Sequence, residues 1–168
     1  MGIDIAIVIQ ARTSSSRFPE KVLSPLCSVP MLMWTINYCR EVNLPLFVLT
    51  STDKSDDLLV GMLEKNYVSY YRGSLENVVS RYLSFMKEHQ VKKVVRNFGD
   101  SPLINPDVIL KVLAQDQELT DADLTTNVFP RSFPTVPPVL AVFRRSFLMV
   151  LGRAVSLPCS GLGSYCGR

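Results

Sequence analysis

The chain contains 168 residues, of which 47% are hydrophobic and 20% charged, and its formal net charge is +3. This length allows a single domain with a self-sufficient core, and so small a net charge, without any Lys/Arg-rich run, argues against general nucleic-acid binding. The four cysteines lack metal-ligand spacing, and no stretch has the pattern of a signal peptide or the length of a transmembrane helix, so free thiols and a cytoplasmic location are expected.

Hydrophobic periodicity predicts strands and helices in alternation. Ile3 to Ile9 is β-branched and apolar on both faces, as in a central parallel strand. The later predicted elements, in chain order, are a helix from Pro30 through Tyr38, a strand at 46–51, a helix at 56–66 capped by Ser55, a strand at 68–71, a helix at 75–89, a strand at 92–98, a helix after Asn105 and Pro106, strands at 123–127 and 139–143, and a helix at 144–154. This order predicts a mainly parallel sheet covered by helices on both faces.

The carboxyl-terminal part of the chain departs from this alternation. The proline-rich stretch "FPRSFPTVPPV", residues 129–139, predicts an extended loop within the domain. Beyond residue 155 no periodicity remains. The predicted organisation is therefore one α/β domain, residues 1–155, followed by an irregular tail, residues 156–168.

Unusual polar groups follow the ends of the predicted parallel strands, where ligands bind in open α/β sheets. They are Gln10, Ala11 and Arg12 with the following Ser15, Ser16, Arg17 and Lys21, then Thr50, Ser51 and Asp53, then Arg72, and finally Gly99 and Asp100. Backbone amides and hydroxyls of the first loop suit phosphate oxygens, and its cations would neutralise their charge. Asp100, which follows a flexible glycine, is suited to a hard divalent cation, so a triphosphate bound through Mg²⁺ would use both charge signs.

Simpler interpretations of the same residues remain open. Loop cations are often solvated surface charge. An aspartate that follows a glycine and is soon followed by a proline, as Asp100 is, is often a turn residue. Arg72 could serve only in an ion pair with Glu76 at the start of the next helix. The first loop also lacks the glycines of a Walker A or Rossmann fingerprint. Composition and spacing alone therefore predict a phosphate-binding α/β domain and no more.

A family resemblance is carried by these same segments. The stretch "IVIQARTSSSRFPEKVL" resembles the opening signature of sugar cytidylyltransferases, above all the spore-coat polysaccharide biosynthesis branch, which is related to the acylneuraminate and 3-deoxy-manno-octulosonate cytidylyltransferases. The resemblance continues through "TSTDKSDD", "YYRGSLENVVSRY", "VVRNFGDSPLINPDVI" and "TTNVFPRSFP", and it spans about residues 3 to 148. The combination is specific because the motifs occur in the family's order.

The resemblance implies a three-layer α/β/α sandwich with a mainly parallel sheet, of the nucleotide-diphospho-sugar transferase type, which is glycosyltransferase-A-like. Against that type this chain is expected to be short at its carboxyl end. It implies that CMP is joined from CTP to a sugar, an acidic one by expectation, with release of pyrophosphate and with Mg²⁺ as cofactor, for surface polysaccharide biosynthesis. The implied triphosphate ligands are Gln10, Arg12, Arg17 and Lys21, with Ala11, Ser15 and Ser16 in the same loop. Those near the nucleoside are Thr50, Ser51, Asp53 and Arg72, with Gly99 beside the implied metal ligand Asp100. Arg12, Lys21 and Asp100 are the implied catalytic residues.

The chain also departs from the family pattern. Ser14 and Glu20 stand where the family loop usually has glycine, and Val139 and Ala141 stand where relatives usually carry acidic residues. The chain is also shorter than usual for the family. Three hypotheses follow: an active cytidylyltransferase, a nucleotide-binding relative with little catalysis that acts as a partner subunit, and an interaction domain that has lost the ligand. A homodimer is also open, and no general base is identified.

Overall fold

The computed structural model describes residues 2–14, 18–119, 121–127 and 141–149. The strands are β1 (Ile3–Gln10), β2 (Pro25–Leu26), β3 (Val29–Pro30), β4 (Leu46–Ser51), β5 (Tyr70–Gly73), β6 (Val91–Phe98), β7 (Leu124–Thr126) and β8 (Ala141–Arg144). The helices are α1 (Met31–Arg40), α2 (Asp57–Lys65), α3 (Val78–Glu88) and α4 (Pro106–Glu118), and residues 145–149 are also helical. Short 3-10 turns occupy Lys21–Leu23 and Lys54–Asp56.

Within the described residues, six strands form one sheet in the order β5-β4-β1-β6-β8-β7. The neighbours β5, β4, β1 and β6 run parallel, whereas β8 pairs antiparallel with both β6 and β7. The carboxyl ends of four adjacent strands therefore lie along one edge of the sheet. We call this edge the ligand edge, and it is formed by the ends of β5, β4, β1 and β6.

Helices cover both faces of the sheet, because β1 alternates its buried side chains between two apolar clusters. Ile7 and Ile9 pack in the cluster that includes residues of α1, α2 and α4. Ala6 and Val8 pack in the cluster that includes Tyr82 and Phe85 of α3. The three-layer α/β/α arrangement predicted from the sequence is confirmed.

Most predicted elements occur within a few residues of their expected bounds, with two local differences. The helix predicted at 56–66 begins after a 3-10 turn, and the side chain that caps this turn is Asp53, which accepts from the Ser55 amide. Ser55 is thus not the helix cap, because the 3-10 turn moves the N-cap position of α2 to Asp56, whose side chain makes no capping hydrogen bond. The strand predicted at 68–71 lies at Tyr70–Gly73 instead. The predicted proline-rich loop and the tail lie outside the described residues.

None of the helices in the described part of the chain is both long and apolar enough to cross a membrane.

Candidate functional site

The ligand edge brings together two oppositely charged groups that are 79 positions apart in the sequence. Lys21 lies in the loop after β1, and its Nζ is 2.9 Å from Oδ2 of Asp100, which follows β6. Both side chains are about two-fifths exposed, at 41% and 43%. Because both side chains are exposed, a cation and a carboxylate are accessible to a ligand at the sheet edge. The pair is also easily separated, since exposed ion pairs contribute little to stability.

Gly99 explains how the two segments come so close. Its amide donates to the Gln10 carbonyl oxygen over 2.9 Å. A Cβ at position 99 would lie 2.9 Å from the Ala11 Cβ and 3.0 Å from Leu32 Cδ1. The flexibility expected for this glycine is therefore not its role, because its φ is not positive and the backbone is held by close packing.

Asp56 is the buried centre of a network behind the loop after β1. It is fully buried, and it accepts hydrogen bonds from the amide of Thr13 at 2.7 Å, from the Thr13 hydroxyl at 2.8 Å and from the amide of Ser51 at 3.0 Å. The Ser51 hydroxyl also donates to it. Burial alone would raise the pKa of Asp56, but the donors from Ser51 and Thr13 outweigh burial and hold the pKa below its ordinary value.

Arg72 joins the ends of β4 and β5. Its Nε donates to the Ser51 carbonyl over 2.8 Å, and its Nη2 donates to the Asp53 carbonyl over 2.9 Å. The same Nη2 lies 2.8 Å from Oδ1 of Asp57, so the acidic partner of Arg72 is Asp57 and not Glu76. The guanidinium therefore fixes the shape of the wall that the strand ends form.

A second arginine, Arg81 of α3, is buried beneath the turn after β5. It is 1% exposed, and its Nε and Nη2 donate to the Ser74 carbonyl over 2.9 and 2.6 Å. Gly73 leaves room for it, because a Cβ there would lie 2.6 Å from Arg81 Cγ. Burial lowers the pKa of Arg81, with the charge of Asp56 opposing that effect. Arg81 thus adds a fixed positive charge behind the ligand edge.

The predicted triphosphate residues of β1 occupy distinct environments. Arg12 is exposed, and Ala11 is buried with its amide donating to the Leu49 carbonyl. Gln10 is half-buried, and its Oε1 accepts from Arg96 Nη2 over 3.0 Å. Arg12 is therefore available to an anion in solvent, whereas Gln10 is already oriented by β6.

The residues predicted near the nucleoside are partly engaged within the protein. Thr50 and Ser51 are fully buried, and the Ser51 hydroxyl donates a hydrogen bond to Asp56. Asp53 is exposed, and a hydrogen bond from Ser55 lowers its pKa. A ligand would meet the main chain of this segment and the Arg72 guanidinium before the buried hydroxyls. Ser15, Ser16, Arg17 and Val139 lie outside the described residues.

The carboxylates at the ligand edge fit a cation held jointly with a ligand better than an enclosed metal site. Across the described ranges, no group of three or more His, Cys, Asp or Glu side chains is arranged to hold a metal ion. Ala141, where the family resemblance leads us to expect an acid, begins β8 opposite Arg96. Asp100 alone, with phosphate oxygens and water, matches the way Mg²⁺ is commonly held at nucleotide sites.

The comparison with known proteins decides the family. A family profile described as cytidylyltransferase matches residues 6–134. The chain belongs to the cytidylyltransferase family. The matched residues run from within β1 to beyond β7, so they include every strand end of the ligand edge.

Individual relatives agree with this assignment. The chain is 31% identical to the spore coat polysaccharide biosynthesis protein SpsF of Bacillus subtilis over 63% of its own length and 47% of that protein. It is 28% identical to the 3-deoxy-manno-octulosonate cytidylyltransferase of Dichelobacter nodosus, over 100% of this chain and 75% of that protein. The first two curated relatives are matched over about half of their length, at 47% and 44%.

Solved structures share the fold. A cytidylyltransferase from Leptospira borgpetersenii superimposes with a TM-score of 0.85 and 28% identity over 93% of this chain and 66% of that chain. CMP:2-keto-3-deoxy-manno-octonic acid synthetase complexed with CTP gives a TM-score of 0.71 at 16% identity, over 94% of this chain and 80% of that chain. The latter likeness establishes the fold alone.

Sequence reasoning missed three residues of the site: Asp56, Arg81 and Arg96. Asp56 lies within "TSTDKSDD", where several acids suggest solvent exposure. Arg81 interrupts the apolar stripe of α3, and that interruption was the available signal of a buried charge. Arg96 directly follows the buried Val94 and Val95 of β6, and an arginine at that place in a central strand is unusual.

Proposed function

We propose that this member of the cytidylyltransferase family binds CTP at the ligand edge and transfers CMP to a sugar acid, with release of pyrophosphate. The observation that carries the proposal is the convergence of Lys21, Asp100 and the exposed Arg12 beside a wall built by Arg72 and Asp56. Family membership and the names of the relatives support the choice of CTP and of a sugar acid.

The site residues would act mainly by position and charge. Lys21 and Asp100 neutralise each other while no nucleotide is bound. A triphosphate would attract Lys21 and Arg12, which frees the Asp100 carboxylate for Mg²⁺ shared with the phosphates. Such an ion would offset the charge that develops on the pyrophosphate leaving group. The buried Asp56 network and Arg72 would keep the strand ends from moving as the anion binds.

Transfer itself requires the acceptor hydroxyl to approach the α-phosphate in line with the leaving pyrophosphate. Arg12 and Lys21 would stabilise charge in that arrangement, because fixed cations cost little reorganisation as the reaction proceeds. A protein nucleophile is not needed for a direct displacement. We expect this activity in the cytoplasm and a homodimer as its assembly.

A second candidate is a relative that binds nucleotide but turns over poorly, as a partner subunit would. The alanine at position 141 favours it, since this residue begins β8 beside β6 and supplies no carboxylate. The two candidates differ in turnover but agree in binding.

The test is pyrophosphate release from CTP and Mg²⁺ with 3-deoxy-manno-octulosonate, N-acetylneuraminate or a neutral hexose as acceptor. The proposal predicts release that depends on a sugar acid and falls at least a hundredfold in Asp100→Asn. Release at the same rate with the neutral hexose would contradict the assigned acceptor class. Tight CTP binding without release would favour the partner-subunit candidate.

A further inference from the structure

A cavity of about 250 Å³ lies on the α3 face of the sheet, beside the ligand edge but outside the strand-end wall described above. Its lining comes from α3, β6, β7, β8 and residues 145–149. Apolar side chains form most of its lining, including Val79, Phe143 and Leu148. The exceptions are Tyr82 and Arg96.

Arg96 reaches this cavity without an acidic partner in the part of the chain that the structure describes. Its Nη2 donates to Gln10 Oε1, and its guanidinium carbon lies 4.5 Å from the centre of the Phe98 ring. Its Nε is buried, and no described residue accepts a hydrogen bond from it. The Arg96 side chain as a whole is half-buried, and a donor that is buried without a partner costs free energy unless an acceptor such as an anion pairs with it.

The strand opposite Arg96 leaves space for such an anion. Ala141 is its directly paired residue on β8, and both side chains line the cavity. Paired residues of antiparallel strands project from the same face of the sheet. Because the alanine side chain ends at Cβ, β8 presents no charged group to the Arg96 guanidinium at this position.

Tyr82 supplies a second polar group. Its side chain is almost fully buried, and burial raises its pKa, while the positive charge of Arg96 opposes that effect. The phenol therefore remains protonated at neutral pH. A protonated phenol beside a guanidinium is a pair of hydrogen-bond donors that suits a carboxylate.

We propose that this cavity binds an organic carboxylate whose charged group pairs with Arg96 and whose apolar part contacts Val79, Phe143 and Leu148. A strongly hydrated inorganic anion is a poor match, because the apolar walls have no hydrogen-bond donors to replace the water that it would lose. This site goes beyond the proposed function, and it does not depend on nucleotide binding.

Binding of a carboxylate in the cavity would change the contacts of Gln10, which precedes the loop after β1. Arg96 contacts Gln10 through the same guanidinium that would bind the carboxylate. A carboxylate would draw hydrogen bonds away from Gln10 Oε1, and Gln10 is in turn tied to Gly99 through its carbonyl. Binding in the cavity and at the ligand edge would therefore be coupled.

The test is titration of the full chain with benzoate, and with benzyl alcohol as the neutral probe of matched shape, by calorimetry. Benzoate should bind at least about tenfold more tightly than benzyl alcohol, the effect expected for one charge-assisted hydrogen-bonded pair. Arg96→Met should remove that preference, Arg96→Lys should keep part of it, and Arg40→Met on the exposed side of α1 should keep all of it. Equal binding of the two probes, or undiminished benzoate binding by Arg96→Met, would overturn the site.

Ala141→Asp provides a variant that keeps Arg96 in place. Its carboxylate would pair with the guanidinium from the opposite strand, so benzoate binding should fall by a similar factor even if Arg96→Met does not fold. Benzoate binding unchanged in Ala141→Asp would count against the site. Coupling is read from NMR, where benzoate should shift the Gln10 side-chain amide and the Gly99 amide of the wild-type chain without any CTP. Unshifted signals would overturn the coupling.

The source of the carboxylate is decided by competition. Displacement of benzoate by a sugar acid would assign the cavity to the acceptor, and simultaneous binding would assign it to a separate effector. Since every step can be measured without CTP or turnover, loss of the proposed function would leave these outcomes readable.

Discussion

Gly99 and Ala11 are packed so closely that a Cβ at position 99 would lie 2.9 Å from the Ala11 Cβ. The contact joins the end of β6, which leads into Asp100, to the end of β1, which leads into the loop that carries Lys21. A methyl group at position 99 would push these two strand ends apart.

Gly99→Ala should lower the free energy of unfolding by about 1–3 kcal/mol, the range for an added methyl in a tightly packed place. It should also weaken CTP binding, since the loop after β1 must move away from Asp100. The control is Gly61→Ala in α2, where a Cβ would meet nothing within 4 Å. That change should raise stability by about 0.5–1 kcal/mol. Equal effects of the two variants in chemical denaturation would disprove the packing argument.

Asp56→Asn should lower the free energy of unfolding at neutral pH by about 2–4 kcal/mol, because the amide cannot accept all the hydrogen bonds that converge on the carboxylate. The lowered pKa of Asp56 means that its contribution is fully present above the ordinary value of 3.8 and is lost as pH falls through the folded value. The difference between wild type and variant should therefore shrink below about pH 4. Urea denaturation at pH 7 and pH 3 measures it, with the exposed Asp107→Asn as the control. A difference that stays constant with pH would contradict the charged role of Asp56.

Lys21→Ala should weaken triphosphate binding by roughly 1.5–3 kcal/mol, the usual value of a hydrogen bond to a charged group. Its stability should change little, because the ion pair with Asp100 is substantially exposed. Lys65→Ala, at the exposed end of α2, should leave binding unchanged. Calorimetric titration with CTP gives the affinities and thermal melts give the stabilities. If Lys21→Ala unfolds while its affinity per folded molecule is normal, the residue is structural.

Glu20→Gly should raise the free energy of unfolding by about 0.5–1 kcal/mol, because Glu20 has a φ of 56° in the left-handed region that favours glycine. The matched change Glu41→Gly, at a right-handed φ of −63°, should lower stability by a similar amount. If both glycine variants shift the denaturant midpoint in the same direction, Glu20 is not strained.

The sequence predicted the strand ends well because apolar runs and their polar boundaries are local features. Lys21 and Asp100 were both singled out as candidates, and the alternation of strands and helices implied that their strands end on one side of the sheet. The left-handed Glu20 also agrees with the family preference for glycine at that position. Such conclusions need only local pattern and topology.

Other features of the site depend on packing that no local pattern encodes. Asp56 looks like one of several solvated acids until the loop after β1 is placed against it. Gly99 suggests flexibility in sequence, and only the neighbouring Ala11 and Leu32 show that it is required for close approach. Arg96 gains its significance from Ala141, a strand partner 45 positions later whose pairing follows from the antiparallel register. Long-range contacts decided each of these roles.

The measurement that tests the central claim most directly is a calorimetric titration of the chain with CTP, UTP, ATP and GTP, each with and without Mg²⁺. The account predicts that CTP with Mg²⁺ binds most tightly, and that Asp100→Asn removes the dependence on Mg²⁺ while sparing the fold. Thermal melts at a hundredfold excess of CTP over its dissociation constant should then register about 2.7 kcal/mol of added stability. Equal affinities for all four nucleotides, or CTP binding that is indifferent to Mg²⁺ in the wild-type chain, would contradict it.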